Sequence, residues 1–132
     1  MTLAEIKSQV MFQTNNDEED VEDYLPHLVD YINDGYDRLM NVWDNNHIPG
    51  EHDRLEYDPD EPELPEWTHH ALADWATWLI YRNGNPQKQQ RGMQFRYSFE
   101  SVRAQLADEG GKAGIDENGN RIKYNKFRNI PR

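Results

Sequence analysis

The chain contains no cysteine in its 132 residues, which excludes a disulfide scaffold and any zinc site built on thiolates. No apolar run approaches the roughly 20 residues that a membrane-spanning helix needs, so a membrane is not an expected partner. The opening MTLAEIKSQV has an early Glu5 and no apolar stretch of the kind found in secretory leaders, and the expectation is a protein made and kept in the cytoplasm. Apolar residues are scarce: 36% are hydrophobic and 30% charged. One domain of this length buries about two thirds of its unfolded surface, but this core is thin, and some aromatics are expected to find burial only in a subunit interface. Motifs of chemistry are missing too. There is no glycine-rich phosphate loop, nucleophile elbow or HExxH. Carboxylates abound without any pair standing out for acid–base work. The expectation is a protein that is not an enzyme and uses no cofactor.

What is abundant is negative charge, and it is unevenly placed. Residues 112–132 hold six basic residues against Asp116 and Glu117, a net of +4, which leaves −15 for the rest of a chain whose total is −11. A body this acidic repels phosphates, so ordinary DNA binding by the folded part is not expected. The basic C-terminal segment suits either DNA or an acidic protein surface.

Apolar periodicity predicts an all-α body, a small bundle of one short and three longer helices. TLAEIKSQVMF has Thr2 and Glu5 at capping-box spacing, with Leu3, Ile6 and Val10 on one face. A second helix opens in acidic residues and carries Val21, Leu25, Leu28, Ile32, Gly35 or Tyr36, Leu39 and Trp43, with Val29 and Met40 widening the stripe. Pro26 fits only a first turn or a kink, so regular helix is expected to begin near Glu22 or Asp23. Residues 44–64 have three prolines, eight acids and two amides, and read as a long exposed acidic loop. Pro65 then opens a third helix with Ala71, Leu72, Trp75, Trp78 and Leu79 inward, ended by RNGNP with Gly84 available for a left-handed cap. Asn85-Pro86 starts a fourth, in which Phe95, Phe99, Val102 and Leu106 share a face until Gly110-Gly111. This divides the chain into a helical domain, 1–111, and a basic arm, 112–132.

Several constellations invite a chemical reading. GIDENGNRIKY, residues 114–124, places Asp116, Asn118 and Asn120 like the first ligands of a calcium loop. Counted from Asp116, however, the obligatory sixth-position glycine is Arg121 and the twelfth-position glutamate is Phe127. Calcium is therefore not expected, and Asn118-Gly119 between Ile115 and Ile122 reads as a hairpin turn. A lone hairpin is marginal in water, so the segment is expected to be an arm that orders on docking. His69 and His70 are neighbours on a helix and diverge by about 100°. His70 and Asp74, at i and i+4, read as a solvated pair. His47 and His52, with Glu51 and Asp53, form a loop cluster without fixed spacing, so no metal site is assigned. Trp75 and Trp78 read as core, and Trp67 as an interface aromatic. GNPQKQQRGMQFR carries Lys88, Arg91 and Arg96 without an acid, either a solvated helix face or a contact for protein or DNA.

The opening TLAEIKSQV, the acid-started DVEDYLPHLVDYINDGYDRLMNVW and the paired helices of LPEWTHHALADWATWLIYRNGNPQKQQRGMQFRYSFESVRAQL give an order of elements that resembles the head-tail connector proteins of tailed bacteriophages. This is the adaptor or head-completion family, and the likeness covers most of Leu3 to Leu106. It implies a small helical bundle in the virion neck, made in the host cytoplasm, and about a dozen copies forming a ring beneath the portal protein ring. The next tail-side connector or stopper protein would bind the other side. DNA would pass without sequence-specific contact, through a ring whose negative charge offers no sticky wall. A terminal arm would grip the portal, with Tyr124, Phe127 and Ile130 as apolar anchors and Lys123, Lys126 and Arg128 as charged complements. The acidic loop and the basic arm are not part of the common pattern. Two other classes stay open: an acidic DNA mimic that occupies a DNA-binding enzyme, and a small metal-dependent hydrolase using His47, His52, His69 or His70.

Overall fold

The computed structural model describes residues 1–14, 23–43 and 52–113. These form an all-α bundle of four helices: α1 (Leu3–Gln13), α2 (Leu28–Trp43), α3 (His69–Arg82) and α4 (Pro86–Ala113). Single 3-10 turns, Leu25–His27 and Glu66–Thr68, lead into α2 and α3.

Helix α3 is the centre of the bundle. Ala71, Leu72, Ala73, Trp75, Ala76, Leu79 and Tyr81 are all buried, together with Asp74 and Thr77, because the other three helices each pack against it. Small residues in its middle allow this close surround. Helix α1 runs alongside it in the same direction, with the Met1 amino group at His69 and Gln13 at Thr77. Helix α4 returns antiparallel, placing Phe99 beside Trp75 and Ser98 at Asp74.

The N-terminus of α1 follows its sequence closely. Thr2 Oγ1 accepts from the Glu5 backbone N–H at 3.2 Å, and Glu5 Oε1 accepts from the Thr2 N–H at 2.9 Å, completing the capping box. The two N–H groups ahead of Glu5, which no helix can satisfy internally, donate instead to the acid-rich segment: Leu3 to the Asp60 carbonyl and Ala4 to that of Asp58.

That segment is the first departure from expectation. Residues 52–64 are not simply an exposed loop; they form a strap over α1 and α2. Leu55 and Leu64 are buried in the core. Asn33 explains how an irregular backbone is tolerated there. Its Nδ2 donates to the Leu55 carbonyl and its Oδ1 accepts from the Leu55 N–H, both at 2.9 Å, so one side chain supplies the two-way pairing a neighbouring strand would give. The Tyr36 hydroxyl accepts from the Glu63 N–H, and Arg54 pairs with Asp30.

Other departures have local causes. Leu25, expected on the apolar stripe, is half exposed, because Pro26 tightens the chain into a 3-10 turn and shifts its helical phase. The third helix begins at His69 after a separate turn, with Pro65 before that turn. Gly84 takes no left-handed cap: Asn83 ends α3 at φ −88°, its Nδ2 donating to the Leu79 carbonyl, and Asn85 Oδ1 accepts from the Lys88 N–H to start α4. Helix α4 also continues through Gly110-Gly111 to Ala113. At about 1.5 Å per residue its 28 residues make it twice as long as the 14-residue α3.

Two glycines set the helix spacing, Gly35 on the predicted stripe of the second helix and Gly92, which periodicity does not mark. A Cβ at Gly92 would lie 2.7 Å from Tyr81 Cβ and 3.0 Å from Trp78 Cε3, so α4 approaches α3 as only a glycine permits. Gly35 similarly faces Trp75. Gly92→Val is expected to destabilise the fold by about 1–3 kcal/mol in denaturant unfolding, despite the better helix propensity of valine. A gain in stability would contradict this close contact.

Candidate functional site

The described residues offer exposed surfaces, two lined depressions and a buried polar cluster. Near α1, Asp74 is buried yet ionisable. Gln13 Nε2 donates to Asp74 Oδ1 and Ser98 Oγ to Asp74 Oδ2, each at 2.8 Å, while Thr77 Oγ1 donates to Gln13 Oε1 at 2.6 Å. One carboxylate thus ties α1, α3 and α4 together. The expected solvated pair with His70 is not formed, since Asp74 is 5% exposed and turned toward Gln13 and Ser98, with His70 on the exposed side. Helical spacing says which residues share a face, but not that α1 and α4 will cover that face.

Burial pushes the Asp74 carboxyl above its usual range, with the Ser98 and Gln13 bonds and the His70 charge opposing this. A carboxyl whose folded pKa is raised gives stability that is present below its unfolded pKa and lost as pH rises through the folded value. Asp74→Asn removes that titration, and the Ser98 hydroxyl can rotate to accept from the new amide. Its melting temperature relative to the native chain is therefore expected to improve from about pH 4 to about pH 7. A difference that stays flat across this range would show that Asp74 is not held in this way.

The histidines occupy separate surroundings. His69 Nδ1 accepts from the Met1 amino group and its Nε2–H donates to the Leu64 carbonyl, both at 2.8 Å. Burial holds His69 below the usual imidazole range, only partly offset by the Leu64 bond. His52 packs against Tyr36 with the rings tilted at 59° and their centroids 4.3 Å apart, and its Nε2 lies 2.8 Å from Asp37 Oδ1. His47 lies outside the described residues. Among the described residues no group of three or more His, Cys, Asp or Glu side chains is placed to hold a metal ion. The failed calcium motif also lies outside them. Millimolar calcium is expected to leave the melting temperature unchanged, and a rise of several degrees would reinstate the site.

The surface has two characters. The strap and the turn after it carry seven acids between Asp53 and Glu66 against Arg54 alone. They surround a depression of about 390 Å³ floored by Tyr36 and rimmed by Glu56, Tyr57, Asp60 and Glu61. The Asp60 carboxylate accepts from the Glu56 and Tyr57 N–H groups, which fixes the bend and lowers its own pKa. Tyr57 is 68% exposed, and Trp67, the expected interface aromatic, is 36% exposed. On α4, Arg91 and Arg96 are exposed, and Arg96 lies over the Trp78 ring at 5.4 Å. Lys88 is half-buried at a smaller cavity of about 230 Å³ lined also by Tyr24, Tyr31 and Ile80. Trp75 is core as expected, its Nε1–H donating to Asp34 at 2.7 Å, and Trp78 is half-buried. The arm residues Lys123, Tyr124, Lys126, Phe127, Arg128 and Ile130 lie outside the described residues.

Compared with protein-family models, curated proteins and solved structures, the chain has no match in any of the three. No helix among the described residues is long and apolar enough to cross a membrane.

Proposed function

We propose that the chain is a structural subunit of the neck of a tailed bacteriophage, an adaptor that assembles as a ring under the portal, joins head to tail and leaves a passage for DNA. The observation that carries this reading is the order of elements: a short capped helix, an acid-started helix, and an antiparallel α3–α4 pair, in a body whose charge is strongly negative. The physics of that body suits the role. A wall of like charge lets DNA slide past, and a lightly filled core gains burial from neighbours. The basic arm then serves as the grip on the portal, and it follows the end of α4 that reaches beyond the start of α3. The test is co-sedimentation of the full chain with purified portal rings of its virus. Saturable co-migration at a fixed stoichiometry is expected, and recovery of free chain at every concentration would overturn the reading.

The acidic strap favours one rival, a DNA mimic that blocks a DNA-binding enzyme. That protein would form a one-to-one complex dissolved by high salt, with no ring. The metal-dependent hydrolase has less to rest on, because His52 and His69 are each engaged within the fold and His70 stands apart on the surface.

A further inference from the structure

The acid-rich strap holds a preformed hollow. Its floor is the fully buried Tyr36, whose hydroxyl accepts from the Glu63 N–H at 2.8 Å, and its bend is fixed by the two N–H bonds to the Asp60 carboxylate. At about 390 Å³ it falls in the size range of ligand sites, roughly 300–1,000 Å³. Five of its lining residues are acids, Asp53, Glu56, Asp60, Glu61 and Glu63, against one cation, Arg54, which already pairs with Asp30. At the rim the Glu56 carboxylate has no partner among the described residues, and Tyr57 is 68% exposed. No three of the described acids and histidines are placed to hold a metal ion. The ligand that suits such a hollow is an extended chain that carries cations together with aromatic groups.

We propose that the basic segment after Ala113 folds back into this hollow of its own chain and is held there until a portal takes it. The sequence supplies the complement: from Arg121 to Arg132 there are five cations and no acid, interleaved with Tyr124, Phe127 and Ile130. Topology places the root of the segment toward the strap. Helix α4 is antiparallel to α3, with Gly92 at Tyr81 and Phe99 at Trp75, so Ala113 lies toward the end of the bundle at which α3 begins. The strap joins that same end, where the Leu64 carbonyl accepts from His69. Residues 114–132, nineteen in number, reach about 60 Å at roughly 3.3 Å each. That exceeds the roughly 42 Å spanned by the 28 residues of α4. A short covalent link gives an effective concentration on the order of millimolar, which favours the chain's own hollow over that of another copy. The portal competes for the same side chains, so a segment held back about nine tenths of the time binds it about tenfold more weakly. This inhibitory use rests on the neck reading above; the fold-back contact does not.

Because the chain has no cysteine, one introduced thiol reports the contact. A nitroxide on Asn125→Cys of the full chain, read by amide NMR at about 50 mM salt, is expected to broaden the Glu56, Tyr57 and Glu61 signals. Those of Gln87 and Lys88, at the opposite end of the bundle, are spared, and the broadening fades at about 1 M salt. E56K/E61K, at two exposed positions, and Y124A/F127A, outside the described core, are each expected to lose most of it while keeping the native amide pattern elsewhere. The arm variant decides the matter if the strap variant loses that pattern. Strap signals broadened no more than that of Gln87 overturn the proposal, and so does broadening that survives in Y124A/F127A. In a mixture of nitroxide-bearing chain and isotope-labelled chain without the nitroxide, no broadening is expected; broadening as strong as within one molecule would give the hollow to a second copy and overturn the proposal. Portal rings test the use of the contact: E56K/E61K is expected to bind them about tenfold more tightly than the native chain, and equal binding overturns the inhibitory role. A fold-back contact in a chain that never joins portals would leave the contact standing and remove the neck function; portal binding without the contact would do the reverse.

Discussion

Phe99→Ala is expected to lower the unfolding free energy by about 3–5 kcal/mol. Phe99 is fully buried, and its ring centroid lies 4.6 Å from that of Trp75 across the α3–α4 contact. The cost of such a truncation depends on how far neighbours can collapse into the space. Here they are held. Trp75 is fixed on its other side by the bond from Nε1 to Asp34 and by Arg38 stacked over its ring at 4.7 Å, while α4 is kept at its distance by Gly92 against Tyr81. The variant therefore loses the transfer energy of a phenyl group, an aromatic pair and the packing around a persistent cavity. Tyr97→Ala, two residues away and largely exposed, is expected to stay within about 0.5 kcal/mol of the native chain. Denaturant unfolding of the pair decides the matter: a Phe99→Ala cost below about 1 kcal/mol would mean that α4 turns a different face to the core.

Ending the chain after Ala113 is expected to abolish attachment to portal rings while leaving the fold intact. The described core is made by residues from Leu3 to Leu106, and it is expected to stand without the segment after Ala113. Helical circular dichroism should persist, and the melting temperature should fall by no more than a few degrees. Attachment is a different matter, because a segment that orders on contact can supply much of an interface that an acidic body makes poorly. With the full-length chain, replacing Tyr124 and Phe127 by alanine should weaken attachment more than replacing Lys123 and Arg128, as expected of an apolar centre within a charged rim. Unfolding of the shortened chain would make the segment structural, and undiminished attachment would end the arm's role.

Four helices were legible in the sequence because their signals are local. The capping box at Thr2 and Glu5, the stripe through Leu28, Ile32 and Leu39, and the spacing of Phe99, Val102 and Leu106 each state a helix and its inner face within a few turns. What composition hid was tertiary. The strap reads as solvent-exposed because it is rich in acids and proline, yet its backbone is satisfied by Asn33, Tyr36 and the first N–H groups of α1, residues brought near only by the fold. Asp74 was misplaced for a related reason. It lies on a helix covered on several sides, and only the arrival of Gln13 and Ser98 makes a buried carboxylate tolerable there. Gly92 carries no periodic signal, since its role is the absence of a side chain at a close crossing, and the stripe that includes Gly35 gives no hint that Trp75 lies against it. Of the candidate surface residues, Trp67, Arg91 and Arg96 are exposed, but nothing local indicated that the acidic strap lies on α1 and α2 while the arginines lie on α4.

The central proposal is that this chain builds a ring on a portal, and electron microscopy of the full chain mixed with purified phage portal rings tests it most directly. The account predicts an added ring of about a dozen copies on the tail side of the portal, with an open central channel. Portals that remain bare at saturating concentrations of a correctly folded chain would contradict it.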